Sequence, residues 1–249
     1  MARDLYDLLV ERVQGAQPLR RLMLGLNWSL AEVSALGICF SPVDPPRTLA
    51  FPGTLAGRPV SELAPWVRSF DPCEAAVACT VINAVVNDDD NDCIARSEPI
   101  ASGAPAHLRV FDHFASRLEG AEVVVVGRYP GLETLWRGRN YTCIERRQTP
   151  GTLPDVAGEY LLPRADWVFV TGSAIANKTL PRLLELSRRA SVVLLGPSVP
   201  WMPEWADFGV TYLAGVTIRN IEKLWQIVAE GGGTRIFEDA VEYRILSLS

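Results

Sequence analysis

Val123-Val-Val-Val-Gly-Arg-Tyr-Pro130, Trp167-Val-Phe-Val-Thr-Gly-Ser173 and Val192-Val-Leu-Leu-Gly-Pro-Ser198 are three short apolar runs that each break at a glycine. A strand with no polar face must be buried on both sides, which is the condition of a parallel sheet covered by helices. Two further runs, Tyr141–Ile144 and Val210–Leu213, have the same character. Between them Leu132–Arg137, Leu180–Arg189, a short piece near Glu204 and Ile221–Ala229 read as helices. Strands alternating with helices predict an α/β domain with a parallel sheet, and the tail over 234–249 can add a last strand. The connection from Arg146 to Ala165 is expected to carry little helix.

Upstream the pattern differs. Asp4 can cap a helix in which Leu5, Leu8, Leu9 and Val13 share a face. Leu22–Leu26 and Ala35–Phe40 read as strands separated by a polar stretch, Asn27–Ser34. The prolines of Ser41-Pro-Val-Asp-Pro-Pro-Arg47 force a loop. Ser61 is expected to cap a short helix through Trp66. Asp71-Pro-Cys-Glu74 sets a cap, an N1 proline and an N3 glutamate before a helix running to Val86. That helix is apolar almost all round, so it is buried. Asn83 lies inside it and must find partners, either on a neighbouring backbone or in a cleft between domains. The acidic stretch Asn87–Asp92 and the small residues from Pro99 to Pro105 mark a boundary, giving an α+β domain over 1–98 and a ligand-binding domain over 99–249.

Composition narrows the functional classes. With 48% hydrophobic and 21% charged residues the chain is an ordinary globular protein. A net charge of -5 lacks the clustered basic surface that nucleic acid requires. No apolar run is long enough to span a bilayer, and the charged N-terminus has no signal-peptide core. Five cysteines without CxxC spacing (Cys39, Cys73, Cys79, Cys93, Cys143) suit reduced thiols, acting mostly as small core residues in the cytoplasm.

The glycine-ended loops carry the chemistry. In open parallel sheets ligands bind beyond the carboxyl ends of the strands, and glycine there lets backbone N–H groups approach them. The first loop, Gly127-Arg-Tyr-Pro-Gly131, is not G-x-G-x-x-G, so the dinucleotide fingerprint is absent. Glu145 nevertheless ends the second strand, where a ribose hydroxyl is often held. In Thr171-Gly-Ser-Ala-Ile-Ala-Asn-Lys-Thr179, Thr179 caps the next helix with Pro181 at N2, leaving Asn177 and Lys178 free. Asn177 either closes the loop or, with Ser173, hydrogen-bonds a ligand beside the charge of Lys178. Asp155 and Glu159 are solvated loop carboxylates, or groups that contact a ligand, bind a metal or act as a base. A metal has little support: His107 and His113 are six apart, and Asp88, Asp90 and Asp92 lack the Gly and Glu of a calcium loop. There is no G-x-S-x-G.

Four stretches occur together and in order: Val126-Gly-Arg-Tyr-Pro130, Glu159-Tyr-Leu-Leu-Pro163 with Asp166, Thr171-Gly-Ser173 through Asn177 and Thr179, and Leu195-Gly-Pro-Ser198 with Pro200. The set resembles a prokaryotic family named for a putative heavy-metal chelation domain. Val81-Ile-Asn-Ala84 looks like part of that family's usual N-terminal partner. The resemblance implies an enolase-N-terminal-like domain followed by a Rossmann-like one, with the site in the cleft they share. Lys178 stands where the family often has histidine, which removes a potential ligand. The expected function is binding of a small molecule: a metal chelate, an anionic metabolite or a nucleotide-like cofactor. Its wall would comprise Asn83, Gly127, Arg128, Thr171, Gly172, Ser173, Asn177, Gly196 and Ser198, with Glu159 and Lys178 as the charged groups. The alternative is an enzyme of metal-cofactor or nucleotide metabolism using Glu159 or Lys178 in acid–base roles. Neither nucleic acid nor membrane is an expected partner, and a homo-oligomer is compatible with the sequence.

Overall fold

The computed structural model describes residues 4–88 and 90–248; Met1–Arg3, Asp89 of the acidic stretch and Ser249 lie outside the described residues. The chain is a mixed α/β protein with a small antiparallel sheet and a larger, mostly parallel one. The small sheet is a meander of β1 (Arg21–Leu24), β2 (Trp28–Glu32) and β3 (Leu36–Phe40). Its middle strand is the stretch Asn27–Ser34 expected to be a polar separator. Trp28, Ser29, Leu30 and Ala31 are all buried, and the one buried polar side chain among them, Ser29, is satisfied by the Ser41 hydroxyl at 2.9 Å. That partner is supplied by tertiary structure, so local polarity gave the wrong reading.

The first helix, Leu5–Glu11, starts at Asp4, whose carboxylate accepts from the backbone N–H groups of Tyr6 and Asp7. Val60–Leu63 is helical and continues as a 3-10 turn over Ala64–Arg68. Ser61 is its second residue, and Pro59 holds the cap position, so the expected serine cap is displaced by two residues. The Pro72–Val86 helix begins at Asp71, which accepts from Cys73 and Glu74 N–H. It lies on β3 at very close range: a Cβ on Gly37 would meet the Thr80 carbonyl oxygen at 2.2 Å and the Ala84 nitrogen at 2.3 Å. Only a glycine allows that approach.

The chain crosses to the large sheet through the Asp92–Arg96 helix and β4 (Glu98–Pro99). The acidic stretch before it is more than a solvated linker. Asn87 bonds the backbone of Val199 and Trp201, and Asn91 caps the helix while donating to the Val86 and Trp201 carbonyls. Next come β5 (Val123–Val126), β6 (Thr142–Glu145), β7 (Leu153–Pro154), β8 (Trp167–Thr171), β9 (Ser191–Leu195), β10 (Tyr212–Ala214), β11 (Val216–Ile218) and β12 (Val241–Ser247). Their order is β11-β12-β10-β9-β8-β5-β6-β7, with β4 on β12; the run from β10 to β7 is parallel, and β12 is antiparallel to its neighbours. From β5 the chain moves one way to β6 and β7, and returns to build β8, β9 and β10 on the other side.

Helices Leu132–Leu135, Leu180–Leu186, Ile221–Ala229 and Ile236–Asp239 cover the sheet, with a 3-10 segment at Pro203–Phe208. Arg109–Phe114, flanked by 3-10 turns, is a helix the sequence pattern did not disclose. The connection from Arg146 to Ala165 is also more ordered than expected, with 3-10 turns at Asp155–Ala157 and Leu162–Arg164 around a helical turn at Gly158–Leu161. Single turns are too short to be stable alone. These are held by packing, with Gly158 buried against Ile144 and Leu162.

Strand residues alternate between two cores. Val124, Val168, Val170, Val192 and Leu194 join the core of the Pro72–Val86 helix, whereas Val123, Val125, Phe169, Val193 and Leu195 join Phe111, Phe114 and Trp136. The small sheet feeds both, Ala31 and Cys39 into the first, Leu30 and Ile38 into the second. Each large side chain so buried stabilises the fold by about 1.5–3 kcal/mol. The shared cores fix the small sheet against the large one.

Candidate functional site

The chain reverses direction between β5 and β8, and the carboxyl ends of these neighbouring strands are Gly127 and Thr171. This is the topological switch point where open α/β sheets bind ligands. Gly127 has φ +100°, and a Cβ there would lie 3.0 Å from Thr171 Cγ2. Gly172 faces the next loop, where a Cβ would meet Val199 Cγ2 at 2.8 Å and the backbone carbon of Ser198 at 3.0 Å. Gly196 turns with φ +109°. The three glycine loops therefore touch in series. Ser198 Oγ, nearly fully buried, accepts from the Phe40 N–H at 2.9 Å, which seats the end of β3 on them.

The loop amides are largely engaged within the protein. Gly127 N–H donates to the Ile144 carbonyl, Gly196 N–H to Ala214 and Val199 N–H to Gly196. Arg128 N–H donates to Glu145 Oε2 at 2.9 Å, and Arg147 N–H to Glu145 Oε1 at 3.3 Å. The carboxylate considered for a ribose hydroxyl is thus the cap of the first loop. Thr171 and Ser173 share a hydroxyl contact at 3.1 Å and are half-buried. Arg128 is exposed.

Asn177 and Lys178 are not free before their helix. Asn177 Oδ1 accepts from Thr179 N–H at 3.1 Å and from Thr179 Oγ1 at 2.6 Å, so the exposed asparagine closes its own loop. Thr179 holds the cap position but its hydroxyl makes no capping bond. Lys178 has φ +69°, the one non-glycine with positive φ among the described residues. Its Nζ donates to the Ala176 carbonyl at 3.0 Å and sits 5.2 Å from the centre of the Tyr6 ring. Burial lowers the Lys178 pKa.

Glu159 has both oxygens on Arg182, at 2.9 and 2.5 Å. That guanidinium holds the carboxyl below its ordinary value. Asp155 lies 3.8 Å from Arg146. Asn83 Nδ2 donates to the Ile38 carbonyl at 2.8 Å, while its buried Oδ1 has no partner.

Sequence reasoning missed several groups here. The Tyr129 hydroxyl is buried without a hydrogen-bond partner and is pushed above the ordinary phenol range by burial. It belongs to the quoted Gly-Arg-Tyr-Pro loop, so attention to the aromatic would have found it. Cys39 and Cys79, treated as filler, are buried in the core shared by β3 and the Pro72–Val86 helix. Cys79 lowers the Cys39 pKa, helped by Ser198, Phe40 N–H and Lys178, whereas Cys79 is raised. Forty residues separate the two, and no local signal pairs them. Among the described residues no group of three or more His, Cys, Asp or Glu is placed to hold a metal ion. A cavity of about 500 Å³ lies elsewhere, lined by Arg109, Arg219, Glu238, Asp239 and Glu242 among others.

Fold and site together define a two-sheet α/β protein whose strand-end loops are partly covered by its N-terminal sheet. Two family models, DUF364 and DUF4213, both described as "Putative heavy-metal chelation", match residues 109–247 and 6–86. The chain belongs to this family. The crystal structure of a DUF364 protein of unknown function from Desulfitobacterium hafniense superposes with a TM-score of 0.81 at 26% identity, covering 97% of this chain and 96% of that one. A second, from Pyrococcus horikoshii, has a TM-score of 0.76 at 21% identity, covers 97% of each, and shares the fold. An uncharacterised protein of Methanocaldococcus jannaschii is 30% identical over 92 residues, 36% of this chain and 36% of that protein. Among the described residues, no helix is long and apolar enough to cross a membrane.

Proposed function

We propose that the protein is a cytoplasmic small-molecule-binding protein whose ligand sits at the carboxyl ends of β5 and β8, under the edge of the N-terminal sheet. One observation carries the reading: three glycine loops from different strands meet at the switch point, and β3 is tied to them through Ser198. Thr171, Ser173, Tyr129, Arg128 and Lys178 are the recognition groups, with Gly127, Gly172 and Gly196 shaping the wall. The ligand is a metal chelate, in keeping with the family's description, or a small anionic metabolite. In this reading residues 1–98 form the enolase-N-terminal-like cover and 99–249 the Rossmann-like binding domain. Free thiols at all five cysteines suit a reducing compartment.

The enzyme alternative is weaker, because Glu159 is exposed and committed to Arg182. The test is native mass spectrometry with elemental analysis on protein purified without chelator. The expected result is a retained organic or metal-containing mass that is lost in Ser173→Ala, with the fold unchanged by circular dichroism. A chain that retains nothing, or a Ser173→Ala variant that retains the same mass, overturns the assignment.

A further inference from the structure

We propose that the cavity at the β11 end of the large sheet is a binding site of its own, for a small zwitterion of the amino acid class held by Arg109 and Asp239. None of its lining residues belongs to the glycine loops, so it is independent of the ligand proposed for them. Its volume of about 500 Å³ falls within the ~300–1,000 Å³ range of small-molecule sites. Arg109 opens the Arg109–Phe114 helix, Arg219 follows β11, Phe237, Glu238 and Asp239 belong to the Ile236–Asp239 helix, and Glu242 lies on β12. Packing sets these walls. Phe237 is nearly buried and stacks on Tyr243 with ring centres 5.0 Å apart. The Ala240 carbonyl accepts from the Arg219 and Asn220 N–H groups at 2.8 and 3.2 Å, which ties the turn after β11 to the end of the helix. The cavity is therefore formed before a ligand arrives.

The charges in the wall select the ligand. Two of its carboxylates are already neutralised: Glu242 Oε1 accepts from Arg219 Nη1 at 2.7 Å, and Glu238 lies 3.0 Å from Arg235. Arg109 and Asp239 remain. Among the described residues neither forms an ion pair or a side-chain hydrogen bond, with each other or with any other group. Arg109 is half-buried, and its Nε is covered by protein with no acceptor. The arm is thus packed in place, and the two terminal nitrogens are the open end of the guanidinium. Two parallel N–H groups on a fixed arm match a carboxylate bidentately, with little side-chain freedom left to lose. Asp239 is exposed and matches an ammonium. A bare anion would answer Arg109 but meet the carboxylates, and a bare cation would leave Arg109 unmatched. A molecule carrying both charges answers both. Phe237 supplies an apolar surface for the rest of it.

The test is calorimetric titration of the protein with the common L-amino acids, β-alanine and γ-aminobutyrate, with the site mapped by amide chemical shifts. One molecule per chain is expected, with shift changes at Arg109 and over residues 236–242. For the tightest binder, the matching amine without its carboxyl should bind about tenfold more weakly, the worth of a charge-assisted hydrogen bond. The matching acid without its amine should bind about threefold more weakly, as for an exposed ion pair. Arg109→Met should erase the advantage of the amino acid over the amine, and Asp239→Asn its advantage over the acid. A merely structural role would move neither selectivity. Asp239 is exposed, so its variant keeps the test open even where Arg109→Met does not fold. Failure of every amino acid to bind, shift changes confined to the glycine loops, or an amine or acid that binds as tightly as its parent overturns the proposal.

Discussion

Gly172→Ala is the sharpest perturbation of the site. Gly172 has no left-handed backbone, so the added methyl acts by volume alone. It would lie 2.8 Å from Val199 Cγ2, 3.0 Å from the Ser198 carbonyl carbon and 3.0 Å from Val199 N. Two of those three atoms are backbone in a loop pinned by Val199 N–H to Gly196 and Ser198 Oγ to Phe40. Overpacking of this kind costs about 1–3 kcal/mol. At roughly 2–4 °C per kcal/mol for a chain of this size, the melting temperature should fall by about 2–12 °C. Val199→Ala relieves only the side-chain contact, so a double-mutant cycle should show partial rescue. Gly103→Ala, where a Cβ meets nothing within 4 Å, is the control and should stay within about 0.5 kcal/mol. Urea unfolding of the four variants measures all of this. A neutral Gly172→Ala, or full rescue by Val199→Ala, would refute the claim that the loops are in rigid backbone contact.

Three further outcomes are expected. Asn87→Ala removes two hydrogen bonds that clasp the Val199–Trp201 segment and should cost about 1–3 kcal/mol in chemical unfolding, with unaltered stability counting against the clasp. Glu145→Ala uncovers the Arg128 and Arg147 amides, so their hydrogen exchange should accelerate while the β9 amides stay protected; uniform protection would contradict the cap. His113 has its pKa lowered by burial first and then by Arg117. The unfolded chain therefore binds the extra proton, and stability should decline as pH falls through about 6.5. In His113→Gln that part of the pH dependence should flatten, and an unchanged slope would exclude His113 as its source.

Strands β5, β6, β8, β9 and β10 of the large sheet were legible as short apolar runs, whereas β4, β7 and β11 have only two or three residues each and carry no such run. β2 was not legible, since Trp28 and Ser29 are satisfied only from afar, the indole N–H by Gly233 and the hydroxyl by Ser41. The helical turn at Gly158–Leu161 was equally hidden, because its stability is packing and not propensity. At the site, the glycines announced the loops but not what their amides do. Of the two roles the sequence left open for Asn177, closing its loop is the one its bonds to Thr179 fill, as asparagine commonly bonds the backbone two residues on. The thiol pair could not have been read at all, because it exists only where β3 meets the Pro72–Val86 helix.

That inward use of the amides changes what kind of ligand the loops can take. A phosphate cradle presents several unpaired N–H groups and a favourable helix dipole to the anion. Here Arg128 N–H is given to a carboxylate, and the helix after Thr171 is preceded by a loop closed on itself by Asn177. Glu145 also places negative charge beside the first loop, opposing any anion that approaches its backbone. Positive charge at the switch point comes from side chains, chiefly Arg128, which is exposed, and Lys178, which is half-buried and bonded to the Ala176 carbonyl. Recognition must then work through hydroxyls and directional side-chain charge. That favours an extended polar ligand with both donors and acceptors over a bare phosphate.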